Sequence, residues 1–147
     1  MNANSLMAVI EPLLSLHRLR YIVLDFSPFV LQLSSDDILA LSKAWPAVEE
    51  LVIDVATAQS GRAGFESILH FARRCPCLQV LHLPVMVIEP GAFEGLEYSA
   101  EPHPLRDLDI EEVVFPPGMD FSREKMDFIQ RVFPNVAVAS ATHPIAF

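Results

Sequence analysis

Cysteine is nearly absent. The chain has two, Cys75 and Cys77, with one proline between them. That spacing is poor for a mutual disulfide and supplies no four-ligand zinc set. Basic residues are also scarce: ten Lys and Arg stand against nineteen Asp and Glu, a formal net charge of −9. An acidic surface repels phosphate backbones, so nucleic acid is not an expected partner. No apolar run reaches the roughly eighteen residues of a membrane span. The start, MNANSLMAVIEP, has no positively charged n-region or cleavage site after a long apolar core, so no signal peptide is expected. With free thiols as well, the expected setting is intracellular, cytoplasmic or nuclear.

What the chain does have is apolar substance and an echo. Hydrophobic residues make up 52% of its 147 residues, enough for one domain with a real core. WPAVEELVI, from Trp45, returns thirty residues later as CPCLQVLHL, from Cys75. Aligned on this echo, units begin at Leu19, Val48, Leu78, Leu105 and Val136. The first four carry apolar-x-x-apolar-x-apolar: Leu19/Ile22/Leu24, Val48/Leu51/Ile53, Leu78/Leu81/Leu83 and Leu105/Leu108/Ile110. The fifth is eroded, with Ala139 and Ala141 where larger aliphatics belong. Apolar positions two apart lie on one face of a strand. Between strands, SSDDILALSKAWP predicts a helix capped by Ser34 or Ser35, with Ile38, Leu41 and Trp45 inward. GFESILHFARRCP predicts another, with Phe65, Ile68, Leu69 and Ala72 inward. FSREKMDFIQRVFP predicts a third, capped by Ser122, with Met126, Ile129 and Val132 or Phe133 inward. The start reads as an irregular helix broken at Pro12, and the stretch 87–102 as a loop.

A doubly wound sheet has central strands buried on both faces, which read as continuous apolar runs. EELVIDV and RDLDIEE alternate instead. The expected fold is therefore α/β: a single domain over residues 1–147, a leucine-rich-repeat-like solenoid arc of about five units, with parallel strands on the concave side and helices on the convex side.

LSSDDILALSKAWPAVEELVI, FESILHFARRCPCLQVLHLPV and HPLRDLDIEE with FIQRVFPNV resemble the repeat region of fungal F-box-like leucine-rich-repeat proteins, above all at the Trp45-Pro46 and Cys75-Pro76 junctions. The resemblance covers 13–136. It implies substrate recognition by the repeats within a ubiquitin ligase. The stretch before Leu13 is too short for the F-box of that family. Contact with a Skp-type adaptor is thus expected only if an F-box is supplied elsewhere. Ser27, Ala56, Met86 and Val113 stand where the usual repeat has Asn or Cys, so no asparagine ladder is expected.

The spacing places three rows on the concave face. They are Tyr21, Glu50, Val80, Asp107; then Val23, Val52, His82, Asp109; then Asp25, Asp54, Pro84, Glu111. An apolar part and an acidic end predict a protein partner with basic and apolar groups. The plain alternative is a set of solvated strand ends. His82 with Asp54 and Asp109 is the one acid/base cluster, but no nucleophile or oxyanion-hole turn accompanies it. Neither an enzyme nor a cofactor or metal site is expected. SGRAG, from Ser60, lacks the lysine of a phosphate loop and reads as a turn. Cys75 and Cys77 read as helix-end packing residues. The apolar start (Leu6, Met7, Val9, Ile10, Leu13, Leu14) and finish (VAVASATHPIAF) predict uncapped ends able to self-associate. A remnant with only a structural role and a small α/β enzyme built around His82 are the competing readings.

Overall fold

In the computed structural model, which describes residues 4–136 apart from 60 and 100, the recurring apolar runs become neighbouring strands. A parallel sheet is ordered β1 (Asn4–Ser5), β2 (Tyr21–Gln32), β3 (Glu50–Thr57), β4 (Val80–Leu83), then β6 (Asp107–Ile110). Beside it, β5 (Met86–Val87) and β7 (Val113–Val114) form a two-stranded parallel sheet. Alternation sends Ile22, Leu24, Leu51, Ile53, Leu81, Leu83 and Leu108 into one core with the helices. Each such side chain stabilises the fold by about 1.5–3 kcal/mol. The helices are α1 (Leu6–Ile10), α2 (Ser35–Ala44), α3 (Leu69–Arg74) and α4 (Ser122–Val132).

Three helices, α2, α3 and α4, end in the same turn. Trp45, Cys75 and Phe133 donate their N–H groups to Leu41, Phe71 and Ile129, four residues back. Their carbonyls accept the N–H groups of Val48, Leu78 and Val136 at 3.1–3.2 Å. Their backbone angles agree closely: φ −125°, −121° and −128°, with ψ 64°, 75° and 66°. The following proline has no N–H and disfavours helix for the residue before it, so each helix stops there. The next junction also recurs: the carbonyls of Arg20, Glu49 and Gln79 each accept two N–H groups from the adjacent unit.

Where the other two turns have an aromatic ring, the second has Cys75, fully buried, with Sγ 3.5 Å from the carbonyls of Ser42 and Trp45. Burial pushes its thiol up to about 12. Cys77 is exposed and does not share that packing role. Of the positions where the usual repeat has Asn or Cys, Met86 opposes Val113 in main-chain pairing, while Ala56 is opposed by Val30 rather than Ser27, past a register shift in β2.

Ser34 caps α2 through a capping box. Its Oγ accepts from Asp37 N at 3.2 Å, and Asp37 Oδ2 accepts from Ser34 N at 2.9 Å. Ser34→Ala is expected to cost about 1 kcal/mol, read as a lower urea midpoint at unchanged slope; no change would remove the cap's role.

Other helical expectations need correction. A 3₁₀ turn (Phe65–Ile68) precedes α3, and its tighter winding shifts the inward face. Phe71 is fully buried while Ala72 is half-buried. Ser122 is the first residue of α4 rather than its cap, and Asp120 Oδ1 accepts from its N and Oγ at 2.9 and 2.6 Å. Phe128 is buried and Met126 only half-buried. Of the 87–102 stretch, expected as a loop, Val87 belongs to β5 and the other described residues are turn and irregular chain. Its Phe93 and Tyr98 rings lie 5.1 and 6.1 Å from that of Phe128 and occupy part of the core.

The apolar start is not bare. A 3₁₀ turn holding Pro12 follows α1, Leu6 and Ile10 are buried, and Met7, Leu13 and Leu14 are half-buried. Trp45 Nε1 donates to Leu13 O at 3.1 Å, and β1 pairs with Leu31 and Gln32 on the edge of β2. Val9 remains 45% exposed. The apolar finish beyond Val136, with Ala139 and Ala141, lies outside the described residues.

Unit four lacks a helix before its strand and makes its turn with a side chain. His103 is buried, its Nδ1 accepts from Leu105 N at 3.0 Å, and its Nε2 donates to Cys75 O at 2.7 Å. That pattern requires the neutral ring. Burial holds its pKa below the ordinary 6.5, opposed by the bond to Cys75. A histidine whose pKa falls on folding takes its proton more readily when unfolded. Its contribution is whole above about pH 6.5 and is lost as pH falls below that value. His70 is lowered too, by burial and then by Arg73, Arg74 and Lys43, and has the same sign. In a His70→Gln background, His103→Gln is expected to cost about 1–3 kcal/mol at pH 7.5 and to flatten the acid loss of stability. Equal pH slopes with and without His103 would refute this role.

A sheet face with apolar and acidic ends

The side of the sheet opposite the core is uncovered among the described residues. Main-chain pairing puts Tyr21, Glu50, Val80 and Asp107 side by side in the first row, and Val23, Val52, His82 and Asp109 in the second. Adjacent strands are about 4.8 Å apart, so neighbours within a row touch a common ligand. Tyr21 and Val23 are 60% and 70% exposed, and Val52 and Val80 are half-buried. Asp107 and Asp109, at the far edge, are exposed. The face therefore runs from an apolar end on β2 to an acidic end on β6.

The third row forms only in part. Asp25 opposes Asp54, but Pro84 lies beyond β4 and is buried, so it is not a face residue. Glu111 lies just past β6; its N–H donates to Leu83 O at 3.0 Å and its side chain is exposed. Asp25 Oδ1 accepts from Ser27 N at 3.2 Å. Asp54, His82, Asp109 and Glu111 border a shallow depression of about 240 Å³ floored by Val52 and Leu83.

His82 does not pair with Asp54 or Asp109. Its Nε2 lies 3.2 Å from Asp107 Oδ2. The ring leans along its strand toward the previous row, as strand side chains do. Next to the face, the Arg20 guanidinium pairs with Glu49, and Tyr21 Oη donates to Glu49 at 3.3 Å. Arg106 Nη2 donates to Gln79 Oε1 at 2.9 Å. Among the described residues, Arg20–Glu49 is the ion pair, and His82–Asp107 is one only when the imidazole is protonated, so Asp25, Glu50, Asp54, Asp109 and Glu111 have no cationic partner there. The pairing of Asp25 with Asp54 sets like charges on neighbouring strands, which costs stability until a cation answers them.

Phe29 and Val30, 67% and 52% exposed, extend the apolar end, and the sequence pattern did not point to them. β2 continues past a register shift between Asp25 and Val30, so simple alternation fails across Ser27-Pro28. The available signal was the return of bulky apolar residues after the proline.

The face offers no nucleophile beside a base. Among the described residues no group of three His, Cys, Asp or Glu side chains converges to hold a metal ion. No described helix is long and apolar enough to cross a membrane. No family model, curated protein or solved structure matches the chain.

Proposed function

We propose that the chain is a short leucine-rich-repeat-like arc, strands concave and helices convex, that recognises another protein without catalysis or cofactor. The observation supporting this reading is the in-register face, with exposed apolar rows at one end and unpaired carboxylates at the other. The thrice-repeated proline turn supports the arc, because equal turns stack equal units. The partner presents basic groups to Asp54, Asp109 and Glu111 and apolar groups to Tyr21 and Val23. The resemblance to F-box-like repeat proteins gives this proposal its specific form, presentation of a substrate to a ubiquitin ligase. A Skp-type adaptor then joins through an F-box supplied elsewhere.

The test is affinity purification of the tagged chain from its native cell extract at low and high salt, beside a variant with the acidic end reversed. A basic protein that is lost at high salt and lost from the variant supports recognition. Co-purifying adaptor and cullin support the ligase form. No protein distinguishing the two chains would leave the chain a structural remnant.

A further inference from the structure

On the helix side, away from the open face, the C-terminal turns of α3 and α4 with Tyr98, Ser99 and the stretch 101–104 enclose a cleft of about 280 Å³. Its walls are apolar where Leu69, Pro76, Pro104 and Val132 line it. Arg73 and Arg131 both line it. Arg131 lies 4.2 Å over the Tyr98 ring, which fixes the plane of its fork. Arg73 Nη2 donates to Glu97 O at 2.7 Å, which anchors it while other N–H groups remain. Neither arginine has a carboxylate partner among the described residues.

Arginines in last helical turns also answer the helix dipole, and that accounts for their sign. It does not require both to line one cavity. His103 lines the cleft as a neutral ring with both nitrogens already bonded. The exposed Glu101 lines the same cleft, and Glu124 and Asp127 line the adjoining depression with Tyr98 and Arg131.

We propose that this cleft binds a small monocarboxylate with a flat apolar body, its carboxylate held by Arg73 and Arg131 and its body between Tyr98 and the proline-lined wall. Arg forks match carboxylates in two parallel hydrogen bonds. A small cavity, mostly apolar with a few convergent polar groups, is the usual form of a small-molecule site. Glu101 disfavours a second negative charge, which selects a carboxylate over a phosphate dianion.

The experiment titrates the ¹⁵N-labelled full chain with benzoate, benzamide and phenyl phosphate, following amide and arginine Nε–H signals. Benzoate is expected to shift Tyr98, Ser99, Glu101 and the Arg73 and Arg131 side chains in a saturable way. The neutral benzamide is expected to bind at least about tenfold more weakly. Arg131→Gln and Arg73→Gln should each weaken benzoate by about tenfold, and Glu101→Gln should bring phenyl phosphate up toward benzoate. Equal binding of benzoate and benzamide, or shifts spread over arginines elsewhere such as Arg18 and Arg62, would overturn the proposal. The benzamide comparison needs no variant, so it decides the matter even if a substitution loosens the loop.

Discussion

Trp45→Ala is expected to cost about 3–5 kcal/mol, a large part of the roughly 5–15 kcal/mol that holds a domain of this kind together. Trp45 is fully buried and ends α2. Its Nε1 donates to Leu13 O at 3.1 Å, and its carbonyl accepts from Val48 N and from the Cys75 thiol. The side chain therefore ties the N-terminal segment to the α2 turn, while the main chain at Trp45 reaches the next repeat. Truncation leaves a cavity and removes one of the two hydrogen bonds that Leu13 O accepts, the other coming from Leu16 N at 3.0 Å, and both effects destabilise. Trp45→Phe keeps most of the volume and loses the hydrogen bond, so a loss of about 1–2 kcal/mol is expected. Urea unfolding followed by circular dichroism measures both, since the substitutions remove the single tryptophan. Equal losses in the two variants would mean that the hydrogen bond, not the volume, carries the effect. A loss below about 1 kcal/mol in Trp45→Ala would show that the junction does not hold the units together.

Reversing Asp54, Asp109 and Glu111 to lysine is expected to weaken partner binding by at least about a hundredfold, because each charge-assisted contact contributes about 1.5–3 kcal/mol. Wild-type binding should fall as salt rises, and the variant should show little salt dependence. The substitutions lie on exposed positions, and Asp54→Lys replaces repulsion with attraction beside Asp25. The melting temperature is therefore expected to hold or rise. That separates lost recognition from lost folding. A partner bound equally by both chains at every salt would place the contact elsewhere than on this face. Tyr21→Ser and Val23→Ser then test the apolar end by itself, and each should weaken the same partner.

Much of the scaffold was legible because it depends on short-range spacing. Apolar positions two apart define a strand face, and the stripe before each proline defines a helix that must stop there. These rules located β2, β3, β4 and β6 and the helices before β3 and β4. They also put Tyr21 beside Glu50 and Val52 beside His82 from spacing alone. The failures share a different origin. Pro84 was placed in a row by extending a strand that ends at Leu83. Phe71 took the inward place of Ala72 because the 3₁₀ turn before α3 changes the phase of that helix. Ser122 resembled a cap, yet Asp120 accepts its hydrogen bonds.

Spacing in the chain was sufficient to say which residues line up, because register between parallel strands repeats with the unit and the side-chain alternation is built into the backbone. It also set the sign of the open face, since the carboxylates of Asp54, Asp107, Asp109 and Glu111 are covalent facts. Partner choice within that alignment was a tertiary matter. His82 turns to Asp107 rather than Asp109, His103 closes a turn through Leu105 and Cys75, and Arg73 and Arg131 line one cleft. Those contacts join residues some 25 or more positions apart in two cases, and their geometry depends on how whole units settle against each other. No local period encodes that settling, so the rows could be read in advance while the contacts made between them had to be seen.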